Sequence, residues 1–234
     1  MSTMADSRPA PVAKERVYVW ELPVRVTHWL LFFSILILSA TGYYLGHPFI
    51  SVSGPARDHF VMGTVRAVHL YTAIVFALAV LVRIYWMFAG NVYARLTQLI
   101  PLRAERITNF WEAVMFYSYM RRDAEESAGH DALAGSGYAM IFAVYLLLIA
   151  TGLALYTVDA SVDSPFQVFD FLVPLFNGLQ IARLIHHVGM WIVLIFAVAH
   201  IYFLIVASLA ERIATFDSMV SGYKFISKRR AGAS

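Results

Sequence analysis

The chain has 234 residues, of which 60% are hydrophobic and 14% charged, and its mean hydropathy is +0.66. A soluble domain of this size needs a mixed, charged surface, and this one has too few charges to cover itself, so the natural solvent for its exterior is lipid. The absence of cysteine excludes disulfides, thiolate-bound clusters, thiolate zinc sites and covalent c-type haem attachment, leaving nitrogen or oxygen ligands for any metal, with eight histidines available.

Residues 1–16 are polar, without a short apolar stretch ending in small residues, so the first apolar run is expected to stay in the mature chain. That run lies at about Thr27 to Leu45, inside a stretch from Arg25 to Arg57 with no charged residue between them. The second runs from about Val65 to Phe88 and, beyond Arg66 at its outer edge, is interrupted by Arg83 alone. The stretches Ala132 to Val158 and Leu184 to Ala210 carry no charge. A helix crosses a bilayer core with about 20 apolar residues, so four spans are expected at about 27–45, 65–88, 132–158 and 184–210.

The net charge of +3 matters less than its placement. Arg8, Lys14, Arg16 and Arg25 precede span one, and Arg95, Arg103, Arg106, Arg121 and Arg122 separate spans two and three. Arg212, Lys224, Lys228, Arg229 and Arg230 follow span four. The first intervening loop offers Arg57 and Arg66, while Asp159 to Ala182 holds no basic residue. Both termini are therefore expected in the cytoplasm, with the loops at about 46–64 and 159–183 facing outward. Phe110 to Met120 is aromatic and ends in Arg121–Arg122, which fits either a helix on the cytoplasmic surface or a loop with aromatics dipping into headgroups. Ser164 to Leu179 is apolar but broken by Pro165 and Pro174, and is expected to pack on the outer surface or against a partner. A weak internal repeat sets His69 on His186, and spans one and three share Ala-Thr-Gly at 40–42 and 150–152.

Ionisable residues inside a membrane are costly and usually face the bundle interior, where they serve a function. His28 lies at the cytoplasmic start of span one, His69 near the outer end of span two, His186 at the outer start of span four, and His200 deeper in that helix. One such histidine alone reads as an interhelical hydrogen bond, but these four pair by depth. His186 and His200 are 14 residues apart, about 21 Å along a helix axis and about 40° around it. They leave one face at two depths, the first level with His69 and the second nearer His28. Two imidazole pairs on facing helices suit two bis-histidine haems stacked across the membrane. His187 sits about 140° from His200 around the helix, so His186 is preferred as ligand, and His187 is left to a propionate or a partner protein. His47, His59 and His130 read as surface histidines in loops. Gly42, Gly63, Gly152 and Gly189 admit either a macrocycle or ordinary helix packing. Arg83 needs an anion, such as a haem propionate, or else snorkels to the headgroups. The fold class expected is all-α integral membrane: a single domain over 1–234, a four-helix transmembrane bundle binding haem between its helices.

The stretches VYVWELPVRVTHW (17–29), ATGYYLGHP (40–48), VMGTVRAVHL (61–70), VLVRIYWMFAGNVYAR (80–95), HHVGMW (186–191) with HIY (200–202), and MVSGYKF (219–225) together resemble the b-type cytochrome subunit of membrane-bound nickel–iron uptake hydrogenases. The likeness runs from Val17 to Phe225, and the cytochrome subunit of respiratory formate dehydrogenase is a more distant relation. The resemblance implies two non-covalent haem b groups, the outer held by His69 and His186 and the inner by His28 and His200. It also implies the small and large hydrogenase subunits on the periplasmic face, quinone as electron acceptor, and a multi-pass place in the bacterial inner membrane. The cytoplasmic end, near Arg25, Trp20 and Glu21, is the expected quinone end. No nucleic-acid partner is expected. Bis-imidazole ligation leaves no open iron position, so no hydrogen-activating site is expected in this chain. The alternatives are another redox partner on the same scaffold, such as a formate dehydrogenase or thiosulfate reductase, and a transporter or structural anchor without haem.

Overall fold

Proline and backbone geometry, rather than charge, decide where the first helix begins. A computed structural model describes residues 14–50, 60–99, 104–121, 132–211 and 215–227. Helix α1 spans Leu22–Gly46, with Pro23 in its first turn, where a missing N–H costs nothing and the fixed φ suits a helix. Helix α2 spans Val61–Ala89, α3 Ala104–Tyr117, α4 Ala132–Thr157, α5 Leu172–Leu175, α6 Leu179–Glu211 and α7 Thr215–Ser221. At about 1.5 Å per residue, α1, α2, α4 and α6 run roughly 37–50 Å, beyond the ~30 Å hydrocarbon core. The four are long and apolar enough to cross a membrane. Large apolar side chains such as Phe33, Leu36, Leu78, Leu81, Ile195 and Val198 stay exposed on their outer faces, as lipid contact requires.

Helices α1, α2 and α6 begin four or five residues before the spans expected at 27, 65 and 184. A helix continues past the apolar core wherever its polar side chains find partners. Arg25 does so by donating to the Val220 carbonyl.

Sequential hairpins build the bundle: α1 packs along α2 and α4 along α6, with lighter α1–α6 and α2–α4 contacts between hairpins. The main core joins Leu31, Phe76, Val80, Ile141, Phe142 and Val193. The aromatic segment before Arg121 takes the helical alternative as α3, which packs on α4, and Tyr117 meets Phe203 of α6 at 4.7 Å between ring centres. The Pro165–Pro174 region forms a 3₁₀ turn over Pro165–Phe169 and the single turn α5. Leu172 is buried there beside Ala154 and Ala182, so this segment caps α4 rather than spanning.

Among the described residues the one departure from an all-α chain is a two-stranded antiparallel ribbon. Strand β1, Lys14–Tyr18, pairs with β2, Tyr223–Ser227, in a register from Lys14↔Ser227 to Tyr18↔Tyr223. The ribbon ties the segments flanking the first and last spans together, so both lie at the same end of the bundle, here the ribbon end; the opposite one is the loop end. Gly222 makes the turn into β2 at φ +87, and its Cα lies where a Cβ would sit 2.7 Å from the Trp20 carbonyl oxygen, a place only glycine takes without strain. Its carbonyl accepts from Val19 N–H at 2.9 Å and Trp20 N–H at 3.0 Å.

Glu21 organises this end. One carboxylate oxygen accepts from the Trp86 indole and from the Asn91 backbone N–H, both at 2.8 Å, and Asn91 Nδ2 donates to the Val19 carbonyl at 2.9 Å. The Trp20 indole donates to Ser218 Oγ and the Trp29 indole to the Met219 carbonyl, both at 3.2 Å. Glu21→Ala strands two donors in a half-buried place and should cost about 1–3 kcal/mol. A lowered thermal unfolding midpoint in detergent is the expected result, and an unchanged midpoint contradicts it.

Candidate functional site

The loop-end pair comes from two separate hairpins. His69 projects from the early part of α2 and His186 from the early part of α6, with ring centres 6.4 Å apart and planes inclined by 59°. At the ribbon end, His28 of α1 faces His200 of α6 with ring centres 6.3 Å apart and planes inclined by 53°. All four histidines singled out in the sequence are thus brought together, in the two couples that depth implied. Three of the four are half-buried and His200 is exposed, so ring surface remains for a ligand to cover.

The two ends differ in what surrounds the rings. His69 Nδ1 lies 2.8 Å from Thr41 Oγ1, and His186 Nδ1 lies 2.9 Å from Thr151 Oγ1. The residue after each threonine is glycine. A Cβ at Gly42 would sit 3.3 Å from His69 Cε1, and one at Gly152 would sit 3.3 Å from His186 Cε1. At the ribbon end the His200 ring instead stacks on Phe196, at 6.0 Å and 15°. His28 Nδ1 is buried without a hydrogen-bond partner among the described residues.

Haem can be tested against these spacings. A haem iron held here would take one nitrogen from each ring, at a metal–nitrogen distance of about 2.0 Å. With each ring centre about 1.1 Å behind its nitrogen, the centres should stand about 6.2 Å apart. Both couples fit within a few tenths of an ångström.

Arg83 does not snorkel: it retains 2% of its exposure and is the largest fully buried side chain among the described residues. Its guanidinium carbon stands 5.1 Å from the Tyr138 ring centre, and Nη1 donates weakly to the Ala94 carbonyl at 3.4 Å. Nε and Nη2 have no protein partner among the described residues. A buried cation with two free donors suits an acidic group from a bound cofactor.

His187 turns away from the loop-end couple. Its ring meets the edge of His47 at 6.2 Å, and His47, at the end of α1, stacks on Tyr43 at 5.3 Å. His47 is therefore engaged with other rings rather than an isolated loop histidine; His59 and His130 lie outside the described residues. The glycines expected to admit either a macrocycle or a helix divide by position. Gly189 serves helix packing, since a Cβ there would sit 2.8 Å from Leu148 Cδ2, whereas Gly63 meets nothing closer than Phe60 at 3.9 Å. Thr41, Thr151 and Phe196 are the site residues that sequence reasoning missed. The repeated Ala-Thr-Gly was the only signal for the two threonines.

The family model for prokaryotic cytochrome b561 matches residues 19–222. The chain is 35% identical over 221 residues to the probable Ni/Fe-hydrogenase B-type cytochrome subunit of Rhizobium leguminosarum bv. viciae, covering 93% of this chain and 92% of that protein. The protein of the same description from Azotobacter vinelandii is 32% identical, with 92% and 90% covered. The probable Ni/Fe-hydrogenase 1 B-type cytochrome subunit of Escherichia coli K12 is 32% identical, with 88% and 90% covered.

A side-chain test of this end follows from Gly46, where a Cβ would sit 2.5 Å from His187 Nε2. Gly46→Ala should displace the flexible His187 ring and break its contact with His47, leaving the His69–His186 spacing intact. Histidine ring signals in NMR read this directly; a moved His186 signal with His187 unmoved contradicts the arrangement.

Proposed function

Because the chain belongs to the prokaryotic cytochrome b561 family, and four of its histidines stand in two couples whose ring centres are 6.3 and 6.4 Å apart, we propose that it is the dihaem membrane subunit of a nickel–iron hydrogenase. It is a b-type cytochrome of electron transport, a multi-pass protein of the bacterial inner membrane, and haem b is its cofactor. The finer reading is that it carries electrons from hydrogenase small and large subunits on the periplasmic face to quinone in the membrane. The observation that carries the dihaem reading is the near-identity of the two ring spacings, 6.4 and 6.3 Å, at opposite ends of the bundle.

His69 and His186 would hold the outer haem, and His28 and His200 the inner one. When bound, these groups supply one-electron iron chemistry at two depths of the bilayer. The chain's own part is spacing and electrostatics. Helix α6 contributes a ligand to each couple, so the rise between His186 and His200, about 21 Å, sets the distance between the two levels. Arg83, buried with two free donors, would neutralise a propionate. The apolar core around Phe76, Ile141 and Val193 keeps water from the space between levels.

The orientation proposed puts the ribbon end in the cytoplasm. The basic residues Arg16, Arg25, Arg95, Arg121 and Lys224 gather towards that side by chain order, while the described outward segments offer fewer: Arg66, paired with Asp159 at 2.9 Å, and the exposed Arg183 in the first turns of α6, which donates to Gln180. The ribbon end, with Trp20, Glu21 and Arg25 beside the inner couple's helix, is the proposed quinone end.

Haem counting tests the assignment. Reduced-minus-oxidised spectra of the purified subunit should give two haems per chain. His69→Ala or His186→Ala should remove one equivalent, and His28→Ala or His200→Ala the other. Two haems retained in any of these variants refutes the couple concerned.

A further inference from the structure

At the loop end the structure repeats one small device twice. Helix α1 presents Thr41–Gly42 to His69 of α2, and α4 presents Thr151–Gly152 to His186 of α6. In each case the helix preceding the histidine in its own hairpin supplies a hydroxyl to Nδ1 and a bare Cα beside Cε1. The two dipeptides belong to the Ala-Thr-Gly triplets at 40–42 and 150–152.

The direction of these hydrogen bonds can be derived. Thr41 Oγ1 lies 2.7 Å from the Ile37 carbonyl oxygen, and Thr151 Oγ1 lies 2.8 Å from that of Leu147. Two oxygens approach this closely only with a proton between them, because a carbonyl can only accept. Each threonine proton is thus committed to its own helix, in the back-bonding pattern of helical threonine. The hydroxyl has only lone pairs left for the imidazole, so Nδ1 carries the ring proton and donates it. A neutral imidazole with its proton on Nδ1 presents its lone pair on Nε2.

We propose that Thr41 and Thr151 are positioning residues that fix His69 and His186 as Nε2 ligands and, by accepting from Nδ1–H, lower the reduction potential of the loop-end haem. The proposal rests on the dihaem reading above. Its chemical basis is that a hydrogen bond accepted from a ligand's second nitrogen makes the imidazole a stronger donor, which favours the more highly charged ferric iron. Gly42 and Gly152 complete the device by letting each ring lie against the neighbouring helix. Among the described residues no hydroxyl bonds a ring of the ribbon-end couple, so the effect belongs to one haem.

The test uses the detergent-solubilised hydrogenase complex carrying Thr41→Val, Thr151→Val, and the rescue variants Thr41→Ser and Thr151→Ser. Equilibrium redox titration of the alpha band reads both midpoints, and haem per chain is counted in parallel. The proposal expects one midpoint to move upward in each valine variant, further in the double variant, while the other stays put and the serine variants titrate like the parent. Loss of one haem with valine but not with serine also supports it. Two haems retained with neither midpoint moved overturns the proposal and leaves the dihaem reading standing. Equal effects of valine and serine overturn it too, since they show a packing role without the hydroxyl. A parent complex holding fewer than two haems, or haem indifferent to His69→Ala, overturns the underlying reading and the proposal together.

Discussion

An imidazole inside a lipid-facing bundle must have both ring nitrogens accounted for, and this requirement shapes the rest of the structure. Water cannot supply the missing partner there, and an unsatisfied polar group in hydrocarbon costs several kcal/mol, of order 2–7. The two ends differ in how far they meet that cost, since His28 Nδ1 at the ribbon end has no hydrogen-bond partner among the described residues. At the loop end a threonine takes Nδ1 of each histidine, leaving Nε2 of His69 and of His186 free for a ligand, on rings whose centres stand 6.4 Å apart. At the ribbon end the rings are held by packing instead, His200 against Phe196 and His28 edge-on to Trp29 at 5.4 Å.

The bundle makes those gaps possible. Each couple joins helices of different hairpins, so a haem between them would act as a bridge across the weakest packing in the bundle, that between α1–α2 and α4–α6. The ribbon and the Glu21 network close the opposite route to separation by tying the start of α1 to the segment after α6 and to the end of α2. On the dihaem reading proposed above, hydrogen-bond acceptance by Thr41 and Thr151 would lower the potential at the proposed entry end and so favour electron movement inward.

Spans, their number and the histidine couples were legible because they rest on local rules: long charge-free runs, and a 14-residue spacing that keeps two side chains on one helix face. The helix starts were not, since Arg25 interrupts the apolar pattern yet is accommodated by the Val220 carbonyl, a partner almost 200 residues away in the chain. The β ribbon was hidden for the same reason: KERVY and YKFIS have no meaning as a pair until the four spans bring them to one end. Arg83 was visible as an oddity, but its burial beside Tyr138 depends on tertiary packing. The threonines were seen only as members of a repeated triplet, because a hydroxyl's role depends on which ring stands next to it. His47 gained its partners only when α1 and α6 were set side by side.

The most direct measurement is the position of iron itself, from anomalous X-ray diffraction of the subunit crystallised with its partner. Two iron peaks should appear, one midway between the His69 and His186 rings and one midway between His28 and His200, roughly 20 Å apart as the rise along α6 requires. A single peak, or iron bound away from either couple, would contradict the account.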